Sequence, residues 1–253
     1  MSASRRRIGG RPEAVVWHDV ECAGYAADLG VWRALADEAG ARGVLDVGAG
    51  TGRVALDLAA RGHRVTALDA DPDLVGALAA RARERRLGVA TAVGDARSLA
   101  LGRTFGLVIL PMQVVQLLGG AAGRAGLLRG GLAHLVPGGV LAAALADPWE
   151  GLDPDHALPP LPDMGESGEW FVSSAPVAVR GEPGAVLIDR VRQAVSPRGD
   201  LFEALATIRL DALAPDELEE EAAALGYRVR PALRVRETGQ YVGSAVVVLE
   251  APS

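Results

Sequence analysis

The sequence predicts an α/β fold in which a mostly parallel sheet carries helices on both faces. Five apolar runs of strand length recur along one half of the chain, at residues 44–47, 64–68, 89–93, 107–110 and 140–145. Between the first three, residues 53–61 and 72–86 carry Leu, Val and Ala at helical spacing, and Pro72 suits a first helical turn. This alternation is typical of parallel strands joined by crossover helices.

Beyond residue 147 the pattern changes. The Pro-rich stretch 151–162 predicts a loop, and strand-like segments at 170–179, 185–195 and 201–210 predict an antiparallel meander inserted after the fifth strand as a lid. An acid-rich first turn at 214–218 opens a further helix. The Val-rich segments 227–236 and 244–250 predict a final antiparallel pair.

The chain is expected to form one domain. Its predicted parts are an N-terminal flap and helix (1–41), a ligand-binding core (42–147), the lid insertion (148–212), and a C-terminal helix and hairpin that complete the sheet (213–253). A chain of 253 residues with 49% hydrophobic residues is long enough to bury one substantial core.

Charge and composition exclude several classes of partner. A net charge of -6 without a dense basic stripe argues against nucleic acid and favours a small molecule. The basic run at residues 5–7 is interpreted as a solvated, disordered tail. The single Cys22 excludes an internal disulfide, and the sequence contains no Cys/His cluster that would suggest a metal site. No run suits a secretory signal or a membrane span, so we expect a cytoplasmic protein.

The most informative stretch is residues 44–53, VLDVGAGTGR, in which Gly48, Gly50 and Gly52 follow an apolar strand on alternate positions. Glycines at such a turn let a ligand approach the backbone closely. Asp69 closes the next apolar run, near the distance expected for a ribose-binding acid. The sequence does not match the usual dinucleotide-binding pattern Gly-x-Gly-x-x-Gly, because Arg53 occupies the position of the third glycine.

This stretch resembles the first motif of class I S-adenosylmethionine-dependent methyltransferases, which Asp46 and the three glycines match. Further motifs at 68–71, 94–96 and 135–141 follow in the order of that family. The resemblance implies a Rossmann-like sheet of seven strands, the last inserted antiparallel between the fifth and sixth. It also implies that S-adenosylmethionine lies over the carboxyl ends of the first two strands and leaves as S-adenosylhomocysteine.

The resemblance assigns roles within the cofactor site. The backbone of the glycine turn meets the amino-acid portion, Asp69 accepts from both ribose hydroxyls, and Asp95 with Ala96 meets the adenine. Asp95 is alternatively a helix N-cap. Arg53 either reaches the cofactor's carboxylate or covers the first helical turn as a solvated side chain. The predicted cofactor-binding residues are Tyr25, Asp46, Gly48, Ala49, Gly50, Gly52, Arg53, Asp69, Ala70, Asp95, Ala96, Leu110 and Met112.

The segment 16–32 concentrates rare residue types and resembles the flap that closes over the cofactor in small-molecule methyltransferases, where a tyrosine often touches it; Tyr25 is the candidate. His18 is the candidate catalytic base, because its ordinary pKa near 6.5 suits proton transfer near neutrality. A structural histidine is the alternative. Glu21 and Asp28 either hold a cationic amine or are exposed helix acids, and the second interpretation is favoured.

The segment after the fourth strand, residues 110–117, has one proline followed by Met112. This departs from the pattern of methyltransferases that act on DNA bases. Met112 and Gln116 are four residues apart, on one predicted helix face. They either line the cofactor or acceptor site, or are a core methionine and a capping glutamine.

Aromatic residues of the lid and final hairpin supply walls for an acceptor, or belong to the core. Trp149 ranks above Trp170 and Tyr241, because it follows the fifth strand on the ligand side of the sheet. His134 and His156 are interpreted as structural or surface residues. The predicted acceptor residues are Glu21, Gln116, Trp149 and Tyr241.

The sequence therefore predicts a metal-independent methyltransferase that acts on nitrogen or oxygen of a small molecule, mainly by aligning the reactants. A nicotinamide dehydrogenase is disfavoured, because this chain contains no lysine for a Tyr/Lys pair. A non-catalytic cofactor-binding or regulatory protein remains the alternative. The acceptor and the oligomeric state are left open.

Overall fold

The computed structural model describes residues 6–147, 161–239 and 241–253. The helices are α1 (Glu13–Cys22), α2 (Leu29–Ala39), α3 (Arg53–Ala60), α4 (Pro72–Glu84), α5 (Ala121–Ala133) and α6 (Pro215–Ala223). The strands are β1 (Arg7–Ile8), β2 (Arg11–Pro12), β3 (Val44–Val47), β4 (Val65–Asp69), β5 (Val89–Val93), β6 (Phe105–Leu110), β7 (Leu135–Leu145), β8 (Asp163–Ser167), β9 (Trp170–Glu182), β10 (Ala185–Val195), β11 (Leu201–Asp211), β12 (Arg228–Val235) and β13 (Ser244–Glu250).

Seven strands form the central sheet in the order β12-β13-β7-β6-β3-β4-β5. Neighbours from β7 to β5 pair in parallel, and β13 runs antiparallel between β7 and β12. The predicted fold class is confirmed, including the antiparallel last strand. The carboxyl ends of the parallel strands therefore share one edge of the sheet, where ligands bind in such folds.

Helices cover both faces of this sheet because successive side chains of its buried strands point to opposite sides. Leu107 and Ile109 of β6 pack on the face that carries Trp32 of α2. Val108 and Leu110 pack on the other face, with Leu127 of α5. Each face thus has its own apolar core, and the residues that follow the carboxyl ends remain available for a site.

The second sheet has the strand order β11-β10-β9-β8 and is antiparallel throughout. Its three longer strands confirm the predicted meander, and β8 adds a strand that the sequence did not reveal. One face packs on α1, where Val16 and Trp17 meet Val172 and Ala194. The N-terminal segment therefore lies between the second sheet and the site.

Two local predictions are wrong. Arg7 does not belong to a disordered tail, because it pairs with Pro12 in a small hairpin. Met112 and Gln116 do not share a helix face: the helical turn is a 3-10 helix at Val114–Leu117, and Met112 precedes it with a positive φ of 57°. No helix in the described ranges has the length and apolar character needed to cross a membrane.

Candidate active site

The glycine turn joins β3 to α3 in a conformation that only glycine adopts without strain. Gly48, Gly50 and Gly52 have φ values of 71°, 56° and 95°. A Cβ on residue 48 would lie 2.6 Å from Val114, and one on residue 50 would lie 2.0 Å from Nε2 of His18. The turn is thus held between the segment after β6 and helix α1.

Asp69, at the end of β4, is fixed against this turn. The Gly50 N–H donates to its Oδ2 at 2.8 Å, and the Asp71 N–H donates to its Oδ1 at 2.9 Å. Each carboxylate oxygen has a second lone pair for a further donor. The carboxyl group is thereby oriented before any ligand arrives.

Asp46 of β3 lies beneath the turn, 1% exposed. Neither of its carboxylate oxygens has a hydrogen-bond partner among the described residues. Burial raises its pKa to about 7, and the positive charge of Arg53 offsets that effect only in part. A buried carboxyl group without a partner is costly to the fold, so a cationic ligand group near it would be strongly favoured.

Helix α1 is fastened to the glycine turn by a polar cluster around Asp19. The hydroxyl of Thr51 donates to Asp19 at 2.8 Å, and the Arg81 guanidinium of α4 donates to the same carboxylate. Burial opposes ionisation of Asp19, but hydrogen bonds from Arg81, Thr51 and Arg11 outweigh it and hold its pKa below the usual value.

His18 lies against the turn beside this cluster, with Nδ1 3.3 Å from the Thr51 hydroxyl. Burial lowers its pKa below the usual 6.5, and the charge of Asp19 offsets part of that effect. The imidazole is therefore neutral near pH 7 and able to accept a proton. Its ring lies on the predicted cofactor turn, and its catalytic role stays a prediction.

Arg53 is neither solvated nor free, so that alternative is wrong. Its guanidinium makes two hydrogen bonds to Asp28, at 2.5 and 2.7 Å, and stacks 5.0 Å above the Tyr25 ring. The indole N–H of Trp32 also donates to Asp28, which is 2% exposed. Asp28 is thus a buried ion-pair partner and not an exposed helix acid.

At the predicted adenine position, Asp95 caps the 3-10 helix Ala96–Ser98 by accepting from the Arg97 N–H at 2.8 Å. Its carboxylate also forms an ion pair with the Arg97 side chain. The cap alternative therefore describes this structure. Leu110 is fully buried at the end of β6, and Ala96 packs against the core.

Gln116 is buried and engaged with the backbone. Its Oε1 accepts from the Ala146 N–H at 3.0 Å, and its Nε2 donates to the carbonyls of Ala146 and Asp211. It joins the segment after β6 to the ends of β7 and β11. Its predicted contact with an acceptor stays a prediction.

The other predicted acceptor residues in the described part of the chain contact different elements. Glu21 is not an exposed acid: it accepts from Arg192 and Ser174 of the second sheet at 2.7 to 2.8 Å. The Tyr241 ring lies 4.7 Å from that of Tyr25. Trp149 and His156 lie outside the described residues.

Trp170 packs against Phe202 of the second sheet, with ring centroids 5.5 Å apart. His134 is structural, as predicted, because it accepts from the Leu101 N–H at 2.9 Å.

A cleft of about 930 Å³ opens at the same edge of the central sheet as the glycine turn. Its lining includes Gln116, Leu145, Asp147, Arg234 and Ser244, at the ends of β7 and β12 and the start of β13. This volume lies within the range of small-molecule sites. The segment after β6 contacts both places, since Val114 packs on Gly48 and Gln116 lines the cleft.

A family profile described as a methyltransferase domain matches residues 44–139. Residues 44–139 form a methyltransferase domain. This match starts at β3 and includes the glycine turn, Asp69 and Asp95, so the resemblance to class I methyltransferases is confirmed. The cypemycin N-terminal methyltransferase of a Streptomyces species is 36% identical to this chain over 109 residues, which cover 43% of this chain and 44% of that relative.

Solved structures share the fold of this chain. The sugar N-methyltransferase KedS8 from Streptoalloteichus aligns with a TM-score of 0.73 at 20% identity, covering 100% of this chain and 99% of its own. The amino pentose methyltransferase CalS10 from Micromonospora echinaspora, solved with S-adenosylmethionine bound, aligns with a TM-score of 0.67 at 23% identity, covering 93% and 96%.

Proposed function

We propose that this protein is an S-adenosylmethionine-dependent methyltransferase that acts on a nitrogen atom of a small molecule. The single observation that carries the proposal is the pairing of two acids beneath and beside one glycine turn. Asp46 is buried without a partner, and Asp69 is already oriented by two backbone N–H groups. These groups fit a ligand with a cationic amine and a ribose.

The residues of the chain bind and orient. The turn from Gly48 to Gly52 lets a ligand approach the backbone closely, Asp69 accepts from ribose hydroxyls, and Asp46 balances the amine. When bound, S-adenosylmethionine supplies a methyl group activated by a sulfonium. Helix α1, held by Asp19, covers the turn and excludes water, so alignment supplies much of the acceleration.

The acceptor is proposed to occupy the cleft at the ends of β7 and β12. Nitrogen is favoured over oxygen, because two proteins of similar structure, the sugar N-methyltransferase KedS8 and the glycopeptide N-methyltransferase MtfA, are named as N-methyltransferases. For methyl transfer to its nitrogen, an amine needs only to lose a proton. Neutral His18 or water accepts that proton. A cytoplasmic location stays part of the proposal.

The test has two steps. Calorimetry should show micromolar binding of S-adenosylmethionine and S-adenosylhomocysteine, abolished by Asp69→Ala and retained by Asp37→Ala, an exposed acid on α2. Methyl transfer from labelled cofactor is then measured on paired small amines and alcohols of equal carbon skeleton.

Transfer of the label to the amines and not to the alcohols would support the proposal. Label in the alcohols alone would overturn the choice of nitrogen. Cofactor binding without any product would favour a non-catalytic protein.

A further inference from the structure

The hydroxyl of Thr51 lies between two polar side chains of helix α1. Its oxygen is 2.8 Å from Oδ1 of Asp19 and 3.3 Å from Nδ1 of His18. A hydroxyl has a single proton, so it donates to one of these two atoms and can only accept from the other. The direction of both hydrogen bonds therefore depends on which partner is able to donate.

Asp19 fixes this direction, because an ionised carboxylate can only accept. Burial opposes its ionisation, but hydrogen bonds led by the one from Arg81 hold the pKa of Asp19 below its usual value. If Thr51 donated to His18 instead, two oxygen atoms with no proton between them would face each other at 2.8 Å. Thr51 therefore donates to Asp19, and Nδ1 of His18 carries the proton of the second hydrogen bond.

The other ring nitrogen of His18, Nε2, faces the glycine turn. A Cβ on residue 50 would lie 2.0 Å from it, and Nε2 has no hydrogen-bond partner among the described residues. In a neutral imidazole, the hydrogen bond made by one nitrogen decides which nitrogen keeps a free lone pair. Since Nδ1 is protonated, Nε2 is a hydrogen-bond acceptor directed at the turn.

We propose that Thr51, supported by Asp19, is a positioning residue that keeps His18 in the Nδ1–H tautomer, so that Nε2 receives the proton of the acceptor amine. This assignment rests on the proposed function. The proton moves from the amine nitrogen to Nε2, while Nδ1 keeps its hydrogen bond to Thr51. Burial and the charge of Arg81 oppose the imidazolium that results, and the charges of Asp19 and Asp69 favour it.

The first test is nitrogen-15 NMR of the histidine rings in ligand-free protein at pH 8, where a pKa below 6.5 leaves His18 neutral. His134 is an internal standard for this tautomer: its Nε2 accepts from the Leu101 N–H, and its Nδ1 can only donate to the Gly130 carbonyl, 2.7 Å away. His18, identified by the signals that His18→Asn removes, should show the same pattern as His134. A proton on Nε2 of His18 would overturn the proposal.

The second test removes the hydroxyl at nearly constant shape. Thr51→Val leaves Nδ1–H without an acceptor, so signals of the Nε2–H tautomer should appear for His18, and Thr51→Ser should restore the wild-type pattern. Thr207→Val is the matched control, because it removes a similar hydrogen bond, of 2.7 Å to Asp189, in the second sheet. It should leave the His18 signals unchanged. Unchanged His18 signals in Thr51→Val would contradict the role of Thr51.

The third test is kinetic and uses the amine that takes up the label fastest in the screen described above. Thr51→Val should lower kcat by about 10-fold or more and leave KM for that amine within about 2-fold, because a positioned base contributes about 10²–10⁴-fold to the rate. Thr51→Ser should recover most of the kcat, and Thr207→Val should retain it. Equal kcat in Thr51→Val and the wild type would overturn the proton transfer to Nε2.

The spectra distinguish a failure of this assignment from a failure of the proposed function, because they are recorded without ligand. An Nε2–H ring in a protein that methylates amines would overturn this assignment alone. An Nδ1–H ring in a protein that transfers no methyl group would contradict the proposed function and its proton transfer, but would support the tautomer.

Discussion

Asp46 titrates near neutrality because burial raises its pKa to about 7 from an ordinary value of 3.8. A folded-state pKa above the unfolded one means that the native chain binds the proton more tightly. The stability linked to Asp46 is therefore fully present below about pH 4 and is lost as the pH rises through 7. Ligand-free protein should melt at a lower temperature at pH 8 than at pH 5 for this reason.

Asp46→Asn removes that titration. Calorimetric melting should show a smaller difference in Tm between pH 5 and pH 8 for this variant than for the wild type. The difference should shrink by roughly 2–4 °C for each kcal/mol of pH-dependent stability that the substitution removes. Equal pH dependence in the two proteins would show that Asp46 is not the titrating group. The same variant should bind S-adenosylmethionine more weakly.

Two structural features require glycine at position 50: its positive φ of 56° and its close contact with the His18 ring. We expect Gly50→Ala to weaken S-adenosylmethionine binding by about 5- to 150-fold, since a strain of 1–3 kcal/mol falls on the turn itself. Calorimetry measures the loss.

The control is Gly76→Ala in α4, where a Cβ meets nothing within 4 Å. It should leave binding unchanged and raise stability by up to about 1 kcal/mol. Adding His18→Ala to Gly50→Ala removes the collision but not the backbone strain, so affinity should recover only in part. Full recovery would show that strain at residue 50 is unimportant.

At the residue scale the sequence predicts what is local and misses what is tertiary. The glycine turn and Asp69 were predictable because a strand, a turn and a helix N-terminus are encoded within a few residues. The ion pair between Arg53 and Asp28 joins residues 25 apart, and that between Arg81 and Asp19 joins residues 62 apart. Single-sequence patterns carry no signal for such pairs.

At the scale of elements, helix α1 depends on Asp19 for its position over the glycine turn. Asp19→Ala removes the acceptor for Thr51, Arg81 and Arg11. We expect faster hydrogen exchange in α1 and about 10-fold weaker S-adenosylmethionine binding, because the helix would leave the turn open. Glu220→Ala, an exposed change in α6, should alter neither measurement.

The pH dependence of this contact has the opposite sign to that of Asp46. A carboxyl whose folded pKa is depressed stabilises the fold above its unfolded pKa and loses that effect as the pH falls through the folded one. Exchange in α1 should therefore rise below about pH 4 in the wild type. Exchange in Asp19→Ala should lack this step. A step that persists in the variant would point to another acid.

Tertiary packing determines the secondary structure of elements that the sequence did not predict. Helix α5 has four glycines in AAGRAGLLRGGLA, a composition that disfavours a helix. A Cβ on Gly126 would lie 2.4 Å from the Arg97 carbonyl, and one on Gly131 would lie 2.6 Å from Leu141. Close approach to the 3-10 helix and to β7 requires these glycines, so tertiary contact overrides propensity.

At the scale of the whole molecule, the sheet order was predictable because motif order and strand alternation together define one known topology. The division of the chain into four segments stays a prediction. The contact of α1 with the second sheet was not predictable, because it joins residues far apart in the chain, such as Glu21 and Arg192, which lies 171 residues later. That contact couples the segment over the cofactor turn to the inserted sheet.

Ligand binding should therefore stabilise the chain as a unit. A ligand that binds only the folded state adds about 2.7 kcal/mol to the free energy of unfolding at 100 times its Kd. At roughly 2–4 °C per kcal/mol, S-adenosylmethionine should raise the Tm by about 5–11 °C in differential scanning calorimetry. Asp69→Ala should abolish the rise.

Two further ligands separate this outcome from the competing functions. A nicotinamide dinucleotide should leave the Tm unchanged, because Arg53 replaces the third glycine of its fingerprint and is bound to Asp28. Duplex DNA at low salt should also leave it unchanged, since the chain carries a net charge of -6 and phosphate binding needs clustered cations. A rise with the dinucleotide and none with S-adenosylmethionine would contradict the assignment of the glycine turn, while a rise with DNA that salt removes would contradict a small-molecule acceptor.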